Sequence, residues 1–439
     1  MLQRLRFVLH HDKLATWLLP AILLAALALR LYGINWDSNQ LFHPDERAII
    51  MKVWELSLPL PPDLGTLLDP AKSPINPRWF PYGSLPLYLL KLIAHLASYF
   101  RESLSGPELR LVGRAMSALL DVGTVSIIYL LGRRLYDRRI GLLAAGFVAF
   151  TVLNIQLSHF YAVDVLLAFL IVLTIFFAAG IMREGSLKYA ISTGACLGLA
   201  LATKVSVLPL LLAAIAAYAL YCFSDERGKL SGTALSKGRL SRSFQGFLVV
   251  LTVMAAVFFI SEPYALIDRQ TFIDNTMEQS EMVRRIRDYP FTRQYIDTIP
   301  YLYQIEQLTV WGMGIPLGVV AWLGFLFAPI RIGVAALIRR HSDKIRADIL
   351  LLSWIIPYFA IAGSFEVKFL RYLLPLSPFL CLLAARMLLG WWDRSHEGAG
   401  GGMLLQRWLC VAVIGIVLLF SIFYSLAYAY YSSGGFHIY

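Results

Sequence analysis

Charge is scarce in this 439-residue chain: only 15% of its residues are Asp, Glu, Lys or Arg, where soluble domains carry about 25%. With 58% apolar residues and a mean hydropathy of +0.64, that deficit excludes a water-soluble enzyme. Disorder is excluded as well, because there is ample apolar surface to bury. Cysteine is sparse. Cys196, Cys222, Cys381 and Cys410 lie in or beside apolar stretches, none at metal-ligand spacing and none paired within a loop. They read as small, lipid-compatible residues. No internal repeat and no separate soluble domain is evident. Basic Met1–Lys13 leads into an apolar run as a signal peptide would, but the run from Leu14 to Leu31 is long and lacks a small-x-small cleavage site. It is expected to remain as a first span.

What is present is a series of apolar runs. At about 20 residues per crossing, they predict an all-α polytopic membrane protein with about 11 transmembrane helices. The windows are 14–31, 111–131, 140–157, 163–182, 189–203, 205–223, 244–262, 306–329, 348–363, 372–391 and 407–430. A twelfth stretch, Tyr82–Phe100, is interrupted by Pro86, Lys91 and His95, and charge arbitrates its fate. If it lies flat, 21 of the 39 Lys and Arg fall on one side, in roughly half the loop length of the other. If it spans, the cluster Arg133–Arg139 flips outward and the bias collapses. The flat arrangement is therefore expected, with juxtamembrane helices in the first external loop and a cytoplasmic N-terminus in the cell membrane. The net charge of +11 suits a protein bordering anionic lipid. Charge alone would equally suit nucleic acid, but the apolar content decides for membrane.

The chain reads as a single integral membrane domain, 1–439. Within it, a catalytic module over 14–223 carries a first external loop at 32–110, and C-terminal helices over 244–430 carry a second at 262–304. The first loop is broken by Pro59, Pro61, Pro62, Pro70, Pro74, Pro77 and Pro81. Ser224–Ser243 on the cytoplasmic side, rich in Gly, Ser, Lys and Arg, reads as a flexible linker.

The ionisable residues on the external side are the candidates for chemistry. In Phe42-His43-Pro44-Asp45-Glu46, adjacent carboxylates sit just outside a span, within reach of a lipid head group. Asp45 and Glu46 suit a general base or oxygen ligands for a hard divalent cation such as Mg or Mn, with Asp164 as a third. The plain alternative is a helix start, with Pro at the first turn and acids favoured by the helix dipole. Asp164 leads into an apolar helix, which is costly unless the carboxylate meets a polar cavity or a partner; it could also be a simple first-turn acid. Lys368 and Arg371 are three apart, on one face if helical, where they could grip phosphate together with Lys204; snorkelling would explain them otherwise. Arg284, Arg285 and Arg287 read more simply as a solvated run. His43, His159, Tyr161 and Tyr82 are candidates to line an acceptor or donor pocket, although a histidine such as His159 is more often an interfacial residue than a ligand. Carboxylates on one wall and cations on another suit transfer of a group from a phosphate leaving group to a nucleophile.

These segments resemble the GT-C superfamily of membrane glycosyltransferases, nearest to its bacterial protein O-mannosyltransferase and aminoarabinose transferase-like branch. The resemblance rests on Phe42–Glu46, Phe80-Pro81-Tyr82-Gly83-Ser84-Leu85-Pro86-Leu87-Tyr88, Gly132-Arg133-Arg134-Leu135-Tyr136, the Asp164 segment, Ala202-Thr203-Lys204 and Val367–Pro375. It implies a GT-C-like fold and a polyprenyl-phosphate-linked sugar as donor, used on the outer face. By resemblance, Asp45 with Glu46 activates the acceptor or binds metal, Asp164 is the second acid, and Lys368, Arg371 and Lys204 hold the lipid phosphate. The chain ends soon after its last span without the soluble C-terminal domain that some relatives use for acceptors, so a protein hydroxyl, a lipid or another glycan all remain open as acceptor. A secondary transporter or lipid flippase is the alternative, but transporters favour internal repeats and midplane charges. A scaffold binding partners through its two external loops is a third.

Overall fold

The computed structural model describes residues 2–58, 63–100, 104, 106–223, 237–338, 342–396 and 401–433. Pro59, Pro61, Pro62, Ser224–Leu230 and the rest of the linker to Ser236 lie outside the described residues. The described chain is helical, with no strand among these residues. Its first half comprises α1 (Leu2–Leu31), α2 (Pro44–Glu55), α3 (Leu64–Leu68), α4 (Leu85–Ala97), α5 (Gly106–Leu135), α6 (Arg138–Ala149), α7 (Val152–Ser158), α8 (Val163–Glu184), α9 (Leu187–Leu201) and α10 (Leu211–Cys222). The second half comprises α11 (Lys237–Ser261), α12 (Tyr264–Ile267), α13 (Arg269–Val283), α14 (Leu302–Gln307), α15 (Ile315–Leu337), α16 (Asp343–Gly363), α17 (Ser377–Arg394) and α18 (Gly401–Ser433).

Each of the eleven apolar windows is largely helical. Seven helices among the described residues are long and apolar enough to cross a membrane, or eight when the α6–α7 pair counts as one bent span. Helix α4, over the ambiguous Tyr82–Phe100 stretch, has 13 residues, about 20 Å at 1.5 Å per residue. That is short of the roughly 30 Å of a hydrocarbon core. It packs instead against α2 and the start of α5, where Ile49, Ile50, Val53, Leu87, Leu90 and Leu109 form a separate small core.

Two windows depart from a simple span. The stretch 140–157 is broken between α6 and α7 by 57°, and 306–329 is broken at Gly312–Gly314, where Gly314 has φ +79° and Pro316 restarts the helix. The expected linker shrinks, because Lys237–Ser243 form the first turns of α11. The second external loop is likewise ordered into α12, α13 and a short 3-10 turn at Pro290–Tyr295.

Packing between helices follows small residues. Gly194 and Gly198 of α9 lie against the α11 backbone, where a Cβ on either would stand 2.6 Å from the carbonyl oxygens of Val250 and Met254. This is the small-xxx-small spacing that lets membrane helices approach closely.

The loops gather at two ends. At one, Arg139 pairs with Asp393 at 3.0 Å, Arg346 donates to the Met182 carbonyl at 2.6 Å, and Arg183 donates to that of Arg134. At the other, the two proline- and acid-rich loops meet: Asn76 donates to Asp268 at 2.8 Å, the Phe80 N–H to Asn275 at 2.8 Å, and Ser84 Oγ to Glu262 at 2.6 Å. These are the two groupings that the basic-residue bias separates.

Candidate active site

The site opens at the end where the two large loops meet. Helix α2 begins as its sequence suggests, with Pro44 in the first turn and His43 as N-cap, its Nδ1 accepting the Glu46 N–H at 3.3 Å. Asp45 and Glu46 then diverge, because neighbouring residues on a helix point about 100° apart. Asp45 faces a hollow of about 630 Å³ and ion-pairs with Arg371, which lies 326 positions later in the chain. Arg371 sits in a 3-10 turn, Leu370–Leu373.

Glu46 turns inward and is completely buried. Arg114 donates to both of its oxygens, at 2.8 and 2.5 Å, and the Tyr161 N–H donates at 2.9 Å. Arg114 also binds Asp37 at 2.8 Å, and Arg110 completes the group through the other oxygen of Asp37. The expectation that Glu46 shares acceptor activation with Asp45 is corrected: its oxygens are engaged within the protein, and its work is to anchor the base of α2.

A second, mainly apolar chamber of about 320 Å³ adjoins the hollow, with Pro81, Tyr82 and Gln279 lining both. Lys204 enters this chamber over the rings of Tyr372, at 4.9 Å, and Tyr82, at 5.8 Å. Its ammonium is 3.1 Å from Asp164. Burial disfavours its charge, but Asp164 together with Tyr372 and Tyr358 outweighs burial and holds the ammonium above its ordinary range. Asp164 itself is buried behind Lys204 and lines neither chamber, so it positions a cation rather than facing Asp45 across a pocket.

The strap Trp79–Ser84 forms the partition. The Gly83 N–H donates to the Thr203 carbonyl at 3.0 Å, and the Leu85 N–H to that of Ala202 at 3.2 Å. A Cβ at Gly83 would fall 1.9 Å from the Ala202 oxygen. Only glycine permits the strap to lie this close to the residue preceding Lys204 by two. From the far side, the buried Glu262 accepts both the N–H and Oγ–H of Ser84. Burial pushes its carboxyl up to about 7, against the two hydrogen bonds.

Other expected residues lie elsewhere. Lys368 was expected to share a helix face with Arg371, but residues 366–369 are not helical. Its ammonium donates to the Glu366 carbonyl at 3.0 Å and lines neither chamber. Both ring nitrogens of His159 meet backbone carbonyls, of Ile155 at 2.7 Å and Tyr32 at 2.9 Å. Tyr161 donates its hydroxyl to the Pro86 carbonyl at 2.7 Å. His159 and Tyr161 are thus latches between segments, whereas His43 and Tyr82 do line the hollow. Burial first, then repulsion by Arg371 and Arg114, pushes the His43 imidazole down to about 3, which leaves it neutral. Arg284 lines the apolar chamber. Among the described residues, no group of three or more His, Cys, Asp and Glu converges as a metal site. Asp45, Glu46 and Asp164 are each turned to a different cation, so as a set they do not fit Mg or Mn.

A further polar group lies beneath the hollow and has no counterpart in the sequence reading. Arg30 pairs with Asp121 at 2.6 Å and donates to the Ala149 and Val148 carbonyls at 3.0 and 3.3 Å, which caps the end of α6 at the bend. Asn154 donates to Asp121 at 2.8 Å and accepts from Ser377 at 2.9 Å. Only a Pro, Gly or polar signal at the break would have exposed the bend, and Thr151 alone stands there.

Residues 102–255, roughly a third of the chain, match the family model "Dolichyl-phosphate-mannose-protein mannosyltransferase". No curated protein matches the sequence. Among solved structures, the Archaeoglobus fulgidus oligosaccharyltransferase in the apo form is similar with a TM-score of 0.57 at 16% identity, over 96% of this chain and 56% of that one. The chain therefore spans little more than half the length of that protein. The archaeal oligosaccharyltransferase AglB in complex with an inhibitory peptide and a dolichol-phosphate gives the same TM-score and identity, over 97% of this chain and 56% of that one. ArnT from Cupriavidus metallidurans, bound to undecaprenyl phosphate, is similar with a TM-score of 0.55 at 14% identity, over 95% of this chain and 76% of that one. The chain shares its fold with these solved structures.

Proposed function

We propose that the chain transfers a sugar from a polyprenyl-phosphate donor to an acceptor hydroxyl, on the extracytoplasmic side of the cell membrane, with inversion. The observation that carries this reading is the pairing of Asp45 with Arg371 on the wall of a hollow that adjoins an apolar chamber holding Lys204. The family match over 102–255 and the fold shared with proteins solved with undecaprenyl phosphate and with dolichol-phosphate support it.

In this reading the isoprenyl chain lies in the apolar chamber, and Lys204 and Arg371 meet the donor phosphate at its mouth. The phosphate competes with Asp45 for the Arg371 guanidinium and so releases the carboxylate to act as base. Asp45 takes the proton of the acceptor hydroxyl as its oxygen attacks the anomeric carbon. The carbon–phosphate-oxygen bond breaks, and its electron pair departs on the polyprenyl phosphate, held by the two cations. That leaving group needs no prior protonation, unlike an ordinary glycosidic oxygen. A single displacement from the opposite face inverts the centre.

Asp45→Asn, assayed in membranes with a radiolabelled polyprenyl-phosphate sugar, is expected to lower transfer by roughly 10²–10⁴-fold with donor binding retained. Turnover near the native rate would end the role of Asp45 as base.

A further inference from the structure

Two carboxamides face the hollow and are unused by the chemistry above. Gln156 comes from the end of α7 and Gln279 from α13, and both line the cavity. Both are half-buried, and neither side chain makes a hydrogen bond to the protein among the described residues. Gln304, by contrast, spends its amide on the backbone at 3.0 Å. An amide offers two donors and two acceptor lone pairs, the complement of vicinal hydroxyls. The same walls carry Trp79, Phe160 and Phe291, flat apolar faces of the kind that pack against the C–H face of a pyranose. At about 630 Å³ the cavity lies within the range of small-molecule sites, in which a few polar groups on apolar walls fix orientation.

The charge of the lining narrows the sugar. Asp45 is the one carboxylate among the lining residues, and Arg371 holds it. Once the donor phosphate draws Arg371 away, that carboxylate has to stay free to take the acceptor's proton; an ammonium on the sugar would pair with it and block that step, and left unpaired in a partly desolvated cavity it would be costly.

We infer that Gln156 and Gln279 determine sugar specificity by hydrogen-bonding the hydroxyls of a neutral hexopyranose carried by the donor. Gln279, which lines both chambers, meets the ring beside the phosphate, and Gln156 meets its far edge. The inference rests on the glycosyl-transfer reading and names the substrate class for it.

The test measures binding to the full-length protein in nanodiscs, which needs no acceptor. Three probes are compared: undecaprenyl phosphate, undecaprenyl-phosphate mannose or glucose, and undecaprenyl-phosphate 4-amino-4-deoxyarabinose. The native protein is expected to bind a hexose donor more tightly than the bare lipid phosphate. Gln156→Ala and Gln279→Ala should each cut that preference about tenfold while leaving affinity for bare undecaprenyl phosphate unchanged, a split that mere loss of fold would not produce. Gln156→Glu, of the same shape, should raise affinity for the amino sugar donor about tenfold relative to hexose. Native preference for the amino sugar, or an unchanged hexose preference in both alanine variants, overturns the inference and leaves the glycosyl-transfer reading standing. Failure of every polyprenyl phosphate to bind overturns both.

Discussion

Asp45 and Glu46 are adjacent in sequence and face opposite ways, one to the hollow and one to the core, and this pair shows how far a residue can be read without its surroundings. The sequence placed Asp45 on the same side as Arg371, and the structure brings the two together. The inward turn of Glu46 was not legible, since nothing in one dimension states which of two neighbours faces the core. The fates of their substitutions should separate accordingly. Glu46→Gln leaves Arg114 buried with half of its countercharge, and breaking a buried pair costs about 3–5 kcal/mol; the expected result is a clear fall in the thermal midpoint in detergent. Asp45→Asn, on a partly exposed wall, should leave that midpoint nearly unchanged while transfer is lost. Equal midpoints for the two variants would show that Glu46 is not a structural anchor. Lys368 illustrates the reverse error: a three-residue spacing carries meaning only if the segment is helical, and this one is not. Glu262 was passed over as a loop boundary, although burial raises its carboxyl well above the ordinary range. Because its pKa is raised to about 7 in the folded protein, the fold binds more protons than the unfolded chain between the ordinary value of 4.5 and about 7. Stability is therefore greatest below that window, is lost as pH rises through it, and levels off above. The thermal midpoint should fall between pH 5 and 8, and Glu262→Ala should flatten that component of the slope.

Helices were the most legible level, because apolar runs of span length have few other uses and each of the eleven windows is largely helical. Their breaks were less so. The α6–α7 bend contains neither Pro nor Gly, and it is stabilised from outside by Arg30, a residue from another helix more than a hundred positions earlier. Hydropathy averages over such a site. The bend shapes the hollow, since α7 supplies Gln156 and leads to Phe160 there. The α9–α11 crossing, in contrast, is written locally in Gly194 and Gly198. Gly198→Leu must push α11 away from α9, as its Cβ already meets a backbone carbonyl and a Val257 carbon at 3.0 Å. Overpacking of this kind typically costs 1–3 kcal/mol. Glu262 immediately follows α11, so the same shift should loosen the clamp on Ser84 and lower transfer as well as the thermal midpoint. A variant that unfolds earlier yet keeps full turnover would show that the crossing and the strap are independent.

At the scale of the whole molecule, the distribution of charge is a statement about two compartments. Basic loops meet one another at one end, and the two loops that build the hollow meet at the other, so the site draws on residues from His43 to Arg371 and needs both halves of the chain. The positive-inside bias predicts that the site end lies outside. The four native cysteines are all buried, so new cysteines can be labelled against a low background. Arg293→Cys lies in the second large loop and Lys188→Cys in the first turn of α9, both at exposed positions. A membrane-impermeant maleimide applied to intact cells should modify position 293 and spare 188, and permeabilisation should admit label to both. The reverse pattern would put the hollow in the cytoplasm, where a nucleotide-sugar could reach it and an extracytoplasmic lipid-linked donor could not. Labelling of both positions in intact cells would mean that the two ends do not lie on opposite sides of the bilayer, and one of the three spans between them would have to be given up, whereas the flat placement of α4, which moves both positions together, would fall with the reverse pattern.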